Sequence, residues 1–299
     1  MAETFEDLPL RRSCGATAAY YRQLEVDPDF QQNQRDLEMF TAQARMLGGA
    51  SAKVPIIKIP VAVHIVHNKD SQNISDEQVH SQIKVLNHDY RAKNTDKKKV
   101  PPVWKDLIGD ARIEFALLEE KTLAITRTKT EKLWFGMNES IKFTAQGGYD
   151  VYKPEGVLNI WVCNLAGILG YAQFPGGKPE TDGVVINFQA FGTGGTAKSP
   201  YHLGRTATHE IGHWLNLRHI WGDTQDCSGS DSVEDTPKAQ IPNYGKPTFP
   251  HVSCSNAPNG DMFVNYMDYV DDAAMFMFTK GQVERMAASF LGPRNGFVP

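Results

Sequence analysis

The feature that most constrains this chain is the run His209-Glu-Ile-Gly-His213-Trp-Leu-Asn216-Leu-Arg-His219. Residues four apart share one face of an α-helix, so His209 and His213 can reach one ion. Catalytic zinc takes three protein ligands and keeps one open position, with imidazole nitrogens at about 2.0–2.1 Å. His219 lies beyond His213 in the wrong direction if the helix ran on, so the chain must turn sharply first. Asn216 is the expected turning point, because asparagine accepts a left-handed backbone. Glu210 cannot ligate from the same turn as His209. It can instead hold a water molecule whose pKa the metal brings from about 15.7 towards 7, take its proton and pass that proton to a leaving amine. The constellation suits attack on an amide carbonyl polarised by the metal. A downstream Glu as third ligand is disfavoured by the position of His219. The other reading of the same residues is an inactive, zinc-stabilised binding or adhesion module; such relics lose the general base, and Glu210 is present.

Composition sets the class around this motif. Apolar residues at 41% and charged residues at 22% are ordinary for a globular protein. A formal charge of −4 offers no basic stripe, which sets nucleic acid aside as a partner. No apolar run reaches the roughly 18 residues that a membrane helix needs. Met1 to Arg12 lacks the basic tip, apolar stretch and cleavage site of a secretory signal, so either the protein is cytosolic or its signal is missing from this chain.

Along the chain, the first 50 residues or so are polar, with a weak helical pattern carried by Phe30, Leu37 and Phe40. Gly48-Gly-Ala-Ser-Ala52 reads as a flexible joint, which places a boundary between Arg45 and Lys53. Ile56 to Val66 is β-branched and predicts a strand. Ser75-Asp-Glu-Gln78 resembles a capping box, followed by Val79, Ile83, Leu86 and Tyr90 on one helical face. Lys93 to Lys99 is a charged loop, expected to be solvated only. Further strands are predicted at Ala111–Leu117, Val157–Cys163 and Gly183–Phe188, and a helix at Tyr201–Leu215. A loop-rich stretch to Met262 follows, then a helix over Thr279–Phe290 with Thr279 as its cap. The order predicts an α+β fold with the second long helix central.

Four cysteines allow three fully paired connectivities. Cys227 and Cys254 lie in loop sequence, where a bridge would tether segments lacking regular hydrogen bonding. Cys163 lies in a predicted buried strand and reads as a small core residue.

The long three-histidine motif, followed at Asn265-Tyr-Met267-Asp-Tyr269 by a Met-containing turn, resembles the metzincin metallopeptidases. His213-Trp-Leu, Leu158-Asn-Ile-Trp-Val, Gly170-Tyr-Ala-Gln-Phe-Pro175, Asp182-Gly-Val-Val-Ile186 and Met267-Asp-Tyr-Val-Asp-Asp272 are similar to the pappalysin family within that group. The resemblance covers about residues 55–290 and, more weakly, the first 50. It implies a pro-segment (1–52) and a catalytic domain (53–299), divided near His219 into an N-terminal part with a twisted mixed sheet, a backing helix and an active-site helix, and a loop-rich C-terminal part. It implies a secreted, monomeric zinc endopeptidase acting on protein or peptide substrates. Met267 would floor the zinc, Tyr269 would stabilise an oxyanion, and Gly170, Tyr171 and Ala172 would pair with an extended substrate. Calcium would bind at Asp231, Glu234, Asp235 and Thr236, whose clustered oxygens suit a hard cation. Cys227 and Cys254 match a family disulfide.

Two points of this resemblance concern regulation and specificity. In relatives made as zymogens, a pro-segment cysteine fills the open zinc position. Arg11-Arg-Ser-Cys14-Gly15 supplies one here, and zinc binds thiolate at about 2.3 Å; a free thiol or a bridge to Cys163 are the other readings of Cys14. Some family members carry an acid at the base of the pocket that selects Arg or Lys after the scissile bond. Ala273 and Ala274 align with that region, which points to an apolar pocket near Met275 or Phe276.

Overall fold

The computed structural model describes residues 7–46 and 55–298; the glycine joint at 48–52 and Lys53 lie outside the described residues. A six-stranded mixed sheet organises the chain. Its central strand, β1 (Ile57–His67), alternates in burial at its start and is buried throughout its second half, as a strand covered on both faces must be. The sheet order is β2 (Ile113–Leu117), β1, β4 (Leu158–Cys163), β6 (Val184–Asn187) and β5 (Gly170–Ala172). All pairs are parallel except β5 with β6, which is antiparallel. One strand is absent from the sequence reading. After the single-turn α4 (Lys121–Ala124), β3 (Ile125–Lys129) takes over the edge of β1 where β2 stops, pairing Val63–His67. Its polar residues Thr126, Arg127, Thr128 and Lys129 give it little strand-like pattern.

Helix α3 (Asp76–Asp89) buries Val79 and Leu86 and is followed by buried Tyr90. Only half of the expected capping box forms: Ser75 accepts from the Gln78 amide. The Gln78 side chain instead donates to the Phe191 carbonyl at 2.8 Å and so pins the segment leading to the next helix. That helix, α5 (Arg205–Trp214), starts later than predicted because Gly204 is left-handed at φ 77°; all ten of its residues are buried. Segment 93–99 is not merely solvated. Asn94 donates to the Phe276 carbonyl at 2.9 Å, and Asp96 accepts from Arg205 at 3.0 Å, while Lys97, Lys98 and Lys99 remain exposed.

Beyond α5 the chain is mostly loop until α6 (Lys280–Ser289), whose Thr279–Gln282 capping box is complete. The Cys227–Cys254 disulfide closes this loop region, and Cys163 is free and buried. At the other end, α1 (Ala16–Val26) and α2 (Pro28–Met46) lie against the body of the molecule, with α2 on α6. Phe30 and Leu37 are buried there as their spacing predicts, whereas Phe40 is largely exposed. No described helix is long and apolar enough to cross a membrane.

Candidate active site

Helix α5 presents His209 and His213 on one face, and Asn216, at φ 73°, turns the chain. The Leu217 amide then bonds back to the Gly212 carbonyl at 2.9 Å, which returns His219 to the other two histidines. The three Nε2 atoms stand 3.1–3.2 Å apart. Each Nδ1 meets an oxygen: the Tyr266 carbonyl for His209 at 2.7 Å, the Leu217 carbonyl for His213 at 2.8 Å, and Asp223 Oδ1 for His219 at 2.6 Å. These acceptors fix the proton on Nδ1 and leave three Nε2 lone pairs facing one point. Donors at zinc–nitrogen distance in a tetrahedron stand about 3.3–3.4 Å apart, so the donor set fits zinc. Burial, then repulsion among the imidazoles, holds His213 down to about 3 and His209 well below the ordinary histidine range. Both rings are therefore neutral, as ligands must be.

Cys14 completes the group: its Sγ and one nitrogen from each histidine all lie within 4.8 Å of one another. Segment 13–15 lies alongside β5, with the Leu169 amide on the Ser13 carbonyl and the Gly15 amide on the Gly170 carbonyl, both at 2.9 Å. Gly170 has no room for a side chain, since a Cβ there would stand 2.8 Å from Glu210 Cγ. Glu210 is buried and raised to about 8, burial outweighing the opposing effects of Cys14 and Arg12. Its Oε2 is 3.3 Å from Cys14 Sγ. Burial first, then the Glu210 charge, pushes the Cys14 thiol up; a cation among the imidazoles reverses that balance, because a ligating thiol is deprotonated outright.

The turn at Asn265–Tyr269 lies beneath. Asn265 Oδ1 accepts from the Met267 amide at 2.9 Å, and Met267 is buried against Gly212, where a Cβ would be 2.5 Å from its Sδ. The Tyr269 ring stands 4.9 Å from His219 and 5.8 Å from His209, and its hydroxyl accepts from the Cys14 amide at 3.3 Å. Burial raises its phenol well above the usual range, so it keeps its proton.

Beside this centre lies an acid next to the alanines from which an apolar pocket was expected. Asp272, fully buried, takes a short ion pair from Arg12 and accepts from the Leu203 amide at 2.8 Å. Arg12 also donates to the Val270 carbonyl at 3.0 Å and to Thr206 at 3.2 Å, with its guanidinium over the Tyr201 ring. Ala273 and Ala274 follow Asp272 in a single turn, and Phe276 packs under Lys99. Asp272, one position before the alanines, thus pairs with Arg12, two positions before Cys14.

The proposed calcium ligands are less gathered. Thr236 gives its hydroxyl to Asp231, and Asp235 caps α6 through the Gly281 amide at 2.9 Å. Among the described residues, the Cys14–histidine group alone brings three or more His, Cys, Asp or Glu ligand atoms within metal-binding reach. Arg12, Asp272 and Asp223 are the site residues that sequence reading missed. The paired arginines just before Cys14 and the Gly222-Asp223 turn after the third histidine were the available signals.

Comparison with known proteins agrees with this geometry. The family profile described as pregnancy-associated plasma protein-A, a peptidase family, matches residues 148–291. An extracellular metalloprotease of Pyricularia oryzae is 31% identical over 273 residues, covering 85% of this chain and 82% of that protein. One of Arthroderma otae is 30% identical over 251 residues, covering 80% of each. Mature mirolysin of Tannerella forsythia in complex with a cleaved peptide is 50% identical, with a TM-score of 0.80 over 82% of this chain and 96% of that one. A promirolysin mutant from the same organism is 45% identical, with a TM-score of 0.86 over 96% and 97%. The chain is a metallopeptidase with the architecture of a zymogen, and it belongs to the pappalysin family.

Proposed function

We propose that this chain is a zinc endopeptidase held latent by its own residues 1–52, with 53–299 as the catalytic domain. The observation that carries the reading is the convergence of Cys14 Sγ on the three histidine nitrogens, with Glu210 beside it. His209, His213 and His219 would hold zinc, which would supply a Lewis acid for the scissile carbonyl and for acidifying water. Glu210 takes a proton from the attacking water and returns it to the leaving amine. A carboxyl raised to about 8 suits a group that must both accept and give a proton near neutrality. Tyr269 keeps its phenol proton for the oxyanion once the Cys14 amide withdraws. Met267 floors the centre, and Gly170–Ala172 offers substrate the edge that residues 13–15 now cover.

A side chain following the scissile bond is proposed to enter beside Asp272, a reading supported by the Arg12 guanidinium paired with that carboxylate. We infer a preference for Arg or Lys at that position. Calcium at Asp231, Glu234, Asp235 and Thr236 draws support from Asp231, which burial raises to about 7, and from Asp235 Oδ1, buried without a hydrogen-bond partner; loss of thermal stability on calcium chelation at constant zinc tests it. Secretion is inferred from relatives named extracellular metalloproteases, and the functional unit is a monomer.

The test is digestion of denatured protein by the zinc-loaded chain after removal of residues 1–52, beside a Glu210→Ala control treated alike, with new termini read by mass spectrometry. Cleavage by the wild type alone, before basic residues, is expected. Equal cleavage by both removes Glu210 from the chemistry.

A further inference from the structure

His209 and His213 each give their Nδ1 proton to a backbone carbonyl, but His219 gives its proton to a carboxylate, Asp223 Oδ1, at 2.6 Å. The chain is bent to bring this about. Gly222 and Asp223 are consecutive left-handed residues, at φ 67° and 58°. A Cβ on Gly222 would stand 2.2 Å from the Ser230 amide nitrogen, and Asp223 holds its conformation without being glycine. Strained backbone of this kind persists where the surroundings demand it and is a pointer to function. The result is an i,i+4 carboxylate–imidazole contact outside any helix. The rest of the His219 ring is clamped as well. Trp221 stacks on it at 4.3 Å and 9°, and Tyr269 meets it edge-on at 4.9 Å and 80°. Ring stacking fixes the plane of the imidazole but says nothing about which nitrogen carries the proton. Asp223 decides that.

We propose that Asp223 is a positioning residue of the metal centre, locking His219 with Nε2 unprotonated and adding a negative charge one hydrogen bond behind a ligand. The proposal rests on the reading of the three histidines as zinc ligands. A carboxylate behind a ligating imidazole raises its basicity, and losing such a partner typically costs 10- to 100-fold in metal affinity. The other two histidines have neutral acceptors, so His219 is the ligand whose donor strength depends on a side chain. Asp223 also faces the N-terminal segment. The Thr17 hydroxyl lies 3.3 Å from the same Nδ1, and Arg218 borders the same small pocket. With Asp223 gone, the Thr17 oxygen could take the Nδ1 proton, but it would bring no charge.

The experiment uses the full chain and two substitutions. Asp223→Asn keeps an oxygen acceptor without charge, and Asp223→Ala removes both; Asp226→Asn, an exposed carboxylate of the same loop, controls for general electrostatics. Zinc affinity is measured by competition with a chelating indicator, and the melting temperature of each metal-free protein is measured alongside. The expected result is a loss of about 10- to 100-fold for Asp223→Ala, a smaller loss for Asp223→Asn, none for the control, and metal-free melting of Asp223→Asn equal to wild type. Wild-type affinity in both Asp223 variants overturns the proposal. A loss matched by an equivalent fall in metal-free melting also overturns it, since Asp223 would then be structural. Wild-type protein that takes up no zinc overturns the reading of the centre itself, and the proposal with it.

Discussion

Sγ of Cys14 lies 3.3 Å from Oε2 of Glu210 while reaching the three histidine nitrogens, so one side chain of the N-terminal segment touches both the metal-binding group and the proposed base. Replacing Cys14 by Ala removes the thiol and opens the position it fills. Full-length Cys14→Ala is expected to cleave a quenched peptide faster than the full-length wild type, in initial-rate assays where mass spectrometry shows the chain still uncut. Equal rates would mean that latency comes from covering the cleft and not from the thiol.

Arg12 and Asp272 form the second contact of that segment with the cleft, buried on both sides. Each charged partner of such a hydrogen bond contributes about 1.5–3 kcal/mol, or roughly 10- to 150-fold in a rate ratio. Processed Asp272→Asn enzyme is therefore expected to lose kcat/KM by about that factor on substrates with Arg or Lys after the scissile bond, and to change little on substrates with Leu there. A uniform loss on both would place Asp272 in the fold of the cleft and outside its selectivity.

The zinc motif, the turn at Asn216 and the core helices were legible because each rests on local spacing or on one residue's backbone preference. The acid proposed for the pocket was not. Asp271-Asp272-Ala273-Ala274 offers two acids and two alanines in a row, and which one faces inward depends on the single turn at 272–274 and on the amides of Leu203 and Arg205 that meet Asp272. Those partners lie about 70 residues away in the chain. Strand β3 escaped for a related reason: it is held by pairing with β1, and its own side chains are mostly polar. Arg12 could be read only once Cys14 had been placed, because the cysteine sets which way the preceding arginine enters the cleft.

Asp182 ties the active-site helix to the end of the chain. Arg294 grips it with two nitrogens at 2.5 and 2.8 Å, Trp214 Nε1 donates to it at 3.2 Å, and the guanidinium lies 4.0 Å above the Trp214 ring. Both side chains of the pair are buried. Asp182→Asn leaves a buried cation without its counter-charge, and breaking such a pair costs about 3–5 kcal/mol. Chemical denaturation of a Glu210→Ala background, which prevents self-digestion, should show that loss. Asp182→Asn combined with Arg294→Met should lose less than the sum of the single variants, and strict additivity would show that the two residues are not coupled.

His64, on β1, carries the clearest pH dependence. It is buried, its Nε2 meets Asn159 Oδ1 at 2.8 Å, its Nδ1 meets the Thr126 hydroxyl at 2.9 Å, and its ring stacks on Tyr149 at 4.5 Å. Burial lowers it from 6.5 to about 4, with the Asn159 hydrogen bond opposing weakly. The unfolded chain therefore takes up a proton at this residue as pH falls through 6.5, while the folded chain does not until pH approaches 4. Its neutral form is fully accommodated above pH 6.5, and stability is lost between 6.5 and 4, by about 3 kcal/mol in all. Burial also lowers His209 and His213, so the informative quantity is a difference. Unfolding free energy measured against pH for wild type and for His64→Gln, both in the Glu210→Ala background, should diverge at high pH and converge as pH falls towards 4. The variant is less stable above pH 6.5 because glutamine fits the stacked site poorly, yet it lacks the proton-linked loss. Parallel curves would show that His64 titrates alike in the folded and unfolded chain, which is incompatible with an imidazole kept neutral between Thr126 and Asn159.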